Sequence, residues 1–186
     1  MKSGPEIRCR PEEMTNCTNV YLKQGEYYIS DGGPAQVRTV LGSCVTVTMH
    51  CPILKIGAIT HSLLPFPLPG SEILPNHLYR YVDSSIRQVF EKLMVKKVDK
   101  HRLEVKIFGG AQMLPQDSSK PGRKELNIGR RNVETALKTI HELGLRVTAT
   151  DVGGSQGRKL LFFPHRGDVW VKKISRSVNQ MRGEHG

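Results

Sequence analysis

Residues 37–65 read VRTVLGSCVTVTMHCPILKIGAITHSLLP, and the fold turns on how this stretch is read. Up to His50 it is dense in β-branched residues interleaved with small polar ones, a composition that suits extended chain on a half-buried surface. Cys51 and Pro52 interrupt the pattern, and strand character resumes in KIGAITHSLLP. Two such runs around a short break form a β-hairpin. A turn centred on Pro52 and Ile53 sets Val45 opposite Thr60 and Cys44 opposite His61. Directly opposed side chains share a face, with Cβ atoms about 4.5–5.5 Å apart.

Working outward, residues 1–19 are polar, include Pro5 and Pro11, and read as a flexible leader to a single domain over residues 20–175. Residues 176–186 read as a polar tail. The segment VYLKQGEYYIS (20–30) has strand spacing and is broken by Asp31-Gly32-Gly33-Pro34. After the proline-rich PFPLPGSEILP (65–75), apolar residues at three- and four-residue intervals predict a helix from Asn76 to Met94. LEVKIFGG (103–110) reads as a strand, and residues 116–125 as a polar loop. A second helix is expected over Ile128–Leu143, with Val133, Leu137 and Ile140 inward and Gly144 as its stop. Residues 145–174 read as three strands joined by glycine turns. Successive strands lie too close for obligatory crossover helices, so the expected class is α+β, with mixed or antiparallel sheets and helices on one face.

Composition narrows the function. A chain of 186 residues makes one domain and buries a core without disulfides or a structural metal. No apolar run approaches the roughly 20 residues of a membrane helix, and the N-terminus lacks a secretory h-region. The expectation is a soluble cytoplasmic protein that does not insert into membranes. Cys9, Cys17, Cys44 and Cys51 are then free thiols. No C-x-x-C pair or finger-spaced histidine pair offers a zinc site, and no cofactor is expected. The net charge of +11 favours anionic partners, but no nucleic-acid-binding signature accompanies it. Gly109-Gly110-Ala111 and Gly153-Gly154-x-x-Gly157 do not match the P-loop pattern and read as tight turns or close backbone approaches. Asp151 is expected to pair with a basic neighbour, and Asn127, Arg130 and Arg131 to shape a helix start.

The chemistry lies in the hairpin. A thiolate is a strong nucleophile, and an imidazole beside it serves as base or, when protonated, lowers its pKa. Gly42 and Ser43 precede Cys44, and a glycine there lets backbone N–H groups approach a substrate carbonyl as an oxyanion hole. A cysteine in a β-branched strand and a single histidine at a strand end also suit purely structural roles. Spacing alone does not separate these readings.

The stretches TVLGSCVTV and IGAITHSLLP, followed in order by YVDSSI, KIFGGAQM, NIGRRNV and DVGGSQGRKLLFF, resemble the chemoreceptor glutamine deamidase family CheD. The resemblance runs from about Val20 to Ile174. It implies that Cys44 is the nucleophile, His61 its base and Thr39 the residue that assists the histidine, with Thr46 or Ser43 as alternatives to Thr39. It also implies a three-layer α/β/β fold similar to the cytotoxic necrotizing factor-like cysteine hydrolases. The implied activity converts glutamines of methyl-accepting chemotaxis receptors to glutamate through a cysteine thioester. The phosphatase CheC is an implied partner, and a regulatory binding module acting through receptor or CheC association is the alternative role.

Overall fold

Alternation puts Val45, Val47, Met49 and Cys51 on one face of a strand and Thr46, Thr48 and His50 on the other, and every one of them is buried. A strand covered on both faces belongs to a middle layer. The computed structural model, which describes residues 17–68, 70, 74–112 and 127–174, supplies both covers. Its strands are β1 (Thr18–Tyr21), β2 (Glu26–Ile29), β3 (Ala35–Leu41), β4 (Val45–Cys51), β5 (Ile56–His61), β6 (Glu104–Gly109), β7 (Val147–Val152), β8 (Gly157–Phe163) and β9 (Asp168–Ile174). The helices are α1 (Val82–Val95), entered through a 3-10 turn at Pro75–Arg80, and α2 (Ile128–Glu142).

One sheet has the order β2-β5-β4-β6-β7 and the other β1-β3-β8-β9. Both are mixed, with β6–β7 and β1–β3 parallel and the remaining pairs antiparallel. Val82, Ile86, Val89 and Leu93 of α1, with Ala136 and Ile140 of α2, pack on Val45, Val47, Ala58, Val105 and Ile107. A second core lies between the sheets, where Val37, Leu41, Leu160 and Phe162 meet Ile59, Phe108 and Cys44. The α+β class is as expected. Among the described residues, no helix is long and apolar enough to cross a membrane.

Of the chain's four passages between the sheets, one lies at residues 30–34 and three at residues 22–25, 42–44 and 153–156. Because β1 runs parallel to β3 and β8 antiparallel to it, these three crossings gather at one end of the sandwich. Candidate nucleophile Cys44 sits on the middle one.

Several expectations are corrected. Residues 20–30 form two strands in different sheets, β1 and β2, separated by a turn at Gly25. β1 begins at Thr18, so Thr18 and Asn19 of the expected leader are paired with β3. Residues 1–16 and 175–186 lie outside the described residues. The hairpin loop takes four residues, Pro52 to Lys55, so Thr48 pairs with Ile59 and Val45 with Ser62. Lys55 adopts φ 53°, which lets the longer loop close. The buried side of α2 is Gly129, Asn132, Ala136, Thr139 and Ile140, while Leu137 is exposed. Small residues face inward there because Gly129 lies against the carbonyls of Gly110 and Ala111. Cys17 is disulfide-bonded rather than free. Pairing follows sulfur proximity in the fold, which cysteine spacing does not report.

Phe162 is fully buried between the sheets. Phe162→Ala is expected to lower the unfolding free energy by about 3–5 kcal/mol, read as a lower urea midpoint at unchanged slope.

Candidate active site

The corrected register moves the hairpin by two residues, and an even shift keeps every side chain on its original face. Val45 and Ser62 exchange backbone hydrogen bonds (3.0 and 2.9 Å) and point toward the helices, where Ser62 meets Ser85 at 2.6 Å. Cys44, just before β4, and His61, the last residue of β5, each precede one member of that pair and therefore face the seam between the sheets. They are diagonal rather than directly opposed neighbours, a spacing of about 7–8 Å that a ring side chain can span. Both are buried, at 7% and 2% exposure.

Thr39 comes to His61 from the other sheet. Its Oγ1 lies 2.7 Å from His61 Nδ1 and donates to the Leu22 carbonyl at 2.8 Å. The carbonyl can only accept, so the single hydroxyl proton is spent there. Nδ1 must then carry its own hydrogen and donate it to Oγ1. The remaining nitrogen, Nε2, is left as the bare basic atom, buried and with no hydrogen-bond partner among the described residues. Among the described residues, Thr46 Oγ1 is likewise without a partner and no hydrogen bond joins the Ser43 side chain to His61, so of the three candidate orienting residues only Thr39 hydrogen-bonds the imidazole.

Burial sets the charge states. Desolvation holds the His61 pKa below its ordinary value, against smaller upward pulls from the Leu22 carbonyl and Glu26. Desolvation also pushes the Cys44 thiol up, with its own backbone N–H pulling it down. Both shifts favour a neutral thiol and a neutral imidazole over the ion pair that an adjacent imidazolium would create. Protonating His61 is costly in the folded state. Its contribution to stability is thus present above the unfolded value of about 6.5 and lost as pH falls through the lower folded value.

The loop before Cys44 is held by its carbonyls. Gly42 O accepts from Ala111 N at 2.8 Å and Cys44 O from Gly110 N at 2.7 Å. Gly109, at φ 102°, permits this approach, since a Cβ there would strike the Cys44 carbonyl. Among the described residues, no acceptor takes the N–H of Ser43 or Cys44. Two unused N–H groups, a cysteine and a basic imidazole nitrogen at one end of the seam are the parts that acyl transfer requires.

The glycine turns have a place in this. Gly153 N donates to Gly109 O (2.9 Å) and Gln112 N to Gly154 O (2.8 Å), so the 153–156 crossing braces the 109–112 segment that holds the cysteine loop. Arg158, 2% exposed, secures that crossing by bonding Asp151 Oδ1 at 2.8 Å and Gly153 O at 2.9 Å. Asp151 thus pairs with a basic neighbour. Asn127 caps α2 by accepting from Arg130 N. Asn132, which the sequence does not mark out, is fully buried and reaches the carbonyls of Ser43 and Leu63. Its spacing with Gly129 and Ala136 on one helical face is the signal that would have exposed it. Among the described residues, no group of three or more His, Cys, Asp or Glu side chains is placed to hold a metal ion.

A family model described as CheD chemotactic sensory transduction matches residues 63–173, beginning two residues after His61. A protein of Geobacter sulfurreducens named probable chemoreceptor glutamine deamidase CheD 2 is 43% identical over 159 residues, covering 86% of this chain and 92% of its own. Probable chemoreceptor glutamine deamidase CheD of Maridesulfovibrio salexigens is 37% identical over 170 residues, covering 90% and 99%. The protein of the same name from Pyrococcus abyssi is 34% identical over 150 residues, covering 81% and 88%.

Iodoacetamide alkylation of Cys44, followed by mass spectrometry across pH, is expected to rise through the alkaline range with a midpoint above the ordinary thiol value of about 8.5. A reactive plateau persisting into acid would reveal a preformed thiolate–imidazolium pair instead.

Proposed function

The chain belongs to the CheD family, and from that premise we propose that it deamidates chemoreceptor glutamines, with Cys44 as nucleophile, His61 as general base and acid, and Thr39 as the group that orients His61. The observation that carries the assignment is the unpartnered His61 Nε2, facing the seam on the same side as Cys44, with its tautomer set by Thr39. The protein is a protein-glutamine glutaminase, a hydrolase of chemotaxis.

The charge states favour a general-base pathway. As Cys44 Sγ attacks the side-chain amide carbon, His61 Nε2 takes the thiol proton. The tetrahedral oxyanion is stabilised by the N–H groups of Cys44 and Ser43, the latter freed by the bend that starts at Gly42. His61 then gives the proton to the amide nitrogen, and ammonia leaves a thioester on Cys44. Water, losing a proton to His61, attacks the thioester and releases glutamate and the free thiol. Each turnover replaces a neutral amide by a carboxylate, adding one negative charge to the receptor. A basic protein is electrostatically suited to a surface that becomes more acidic.

This reading places the enzyme in the cytoplasm with the receptors' signalling parts. CheC association belongs to it as regulation of the same site. The helix–sheet–sheet order, with cysteine and histidine at the mouth of the inter-sheet seam, is the ground for setting the fold beside the cytotoxic necrotizing factor-like cysteine hydrolases.

Ammonia release, with mass spectrometry of a purified receptor cytoplasmic fragment, tests the assignment. Cys44→Ala and His61→Ala are expected to abolish the amide-to-acid mass shift while keeping the native circular dichroism spectrum. Thr39→Ala should retain reduced activity, down about 10–100-fold in kcat, since it loses orientation of the base and not the base itself. Turnover near wild type in Cys44→Ala would sink the assignment. Tight receptor or CheC binding with no turnover in the wild type would instead favour a regulatory binding module.

A further inference from the structure

The reciprocal β4–β5 ladder ends at Val45 and Ser62. One residue beyond, the strands separate, and the amide of Asn132 spans the gap. Nδ2 donates to Ser43 O at 2.9 Å and to Leu63 O at 2.8 Å. Two carbonyl oxygens can only accept, so the nitrogen must be the amide atom facing them, and both its hydrogens are used. Oδ1 is buried with no partner among the described residues. An unpaired acceptor in the core is unfavourable, so what keeps an amide here is the work of its nitrogen.

That work bears on chemistry through one peptide plane. Ser43 C=O and Cys44 N–H belong to the same planar trans unit and point in opposite directions. Anchoring the carbonyl on α2 aims the N–H away from the helices, into the seam where Sγ and His61 lie. The second bond, to Leu63 O, ties the same amide to the chain two residues past His61.

We propose that Asn132 is a positioning residue for acyl transfer: by holding the Ser43 and Leu63 carbonyls, it orients the Cys44 N–H as oxyanion donor. The inference rests on the reading of Cys44 as nucleophile, but not on the identity of the substrate.

Two reactions of Cys44 separate orientation of the oxyanion donor from general support of the loop. With p-nitrophenyl acetate, Sγ attacks the ester carbonyl, His61 takes the thiol proton, an oxyanion forms and p-nitrophenolate leaves. With iodoacetamide, Sγ displaces iodide in one step and no oxyanion forms. Both are measured on wild type, Asn132→Leu and Asn132→Ala, with mass spectrometry to verify the modified residue. Acylation is expected to fall about 10–100-fold in both variants, while alkylation keeps the wild-type rate and pH profile. Parallel loss of both reactions, or loss of neither, would overturn the proposal. So would failure of both variants to give the native near-UV spectrum, which would mark Asn132 as structural. Cys44 that resists iodoacetamide in the wild type would undercut the nucleophile reading itself. Absence of receptor deamidation by wild type would remove the substrate and leave the acylation-to-alkylation ratio interpretable.

Discussion

One hydroxyl proton organises the site. Thr39 Oγ1 lies between a carbonyl that can only accept and an imidazole nitrogen that can do either. Giving its proton to Leu22 O forces the hydrogen of His61 onto Nδ1 and leaves Nε2 basic. Three separate pieces of backbone must be in place for this: β3 for Thr39, the end of β1 for Leu22, and β5 for His61. The gathering of three of the sheet crossings at one end of the sandwich brings them together. The fold and the tautomer are thus linked, because Leu22 reaches Thr39 only if β1 runs parallel to β3.

Burial supplies the second condition. In the buried seam, desolvation disfavours charge on both thiol and imidazole, so on the proposed mechanism the nucleophile is generated when substrate arrives rather than stored. The proposed oxyanion donors follow from the same loop, whose carbonyls at residues 42–44 are tied on its far side and whose N–H groups at 43 and 44 are left unused.

Much of this was legible in residues 37–65. Alternation around Val45–Cys51 and Ile56–His61 marks the hairpin, and Cys44 and His61 stand out as residue types. The register was not legible, because Pro52 suggests a tight turn whereas Lys55 accepts a left-handed conformation that lengthens the loop. The error was of two residues, so the facing of Cys44 and His61 survived it. The split of residues 20–30 between two sheets was hidden because strand spacing says nothing of which sheet a strand joins. The inward face of α2 was misjudged for a different reason. Large apolar residues, Leu137 among them, draw the eye, while the contact is made by Gly129, Asn132 and Ala136 at close range. Asn132 could not be told from surface without the two carbonyls that give it a purpose.

The central claim is the protonation state that Thr39 imposes on His61, and nitrogen-15 NMR of the imidazole in protein labelled at histidine tests it directly. At neutral pH the expected spectrum is that of a neutral ring with hydrogen on Nδ1 and none on Nε2, converting to a mixture of tautomers in Thr39→Ala. An imidazolium at neutral pH, or a hydrogen on Nε2 in the wild type, would contradict the account.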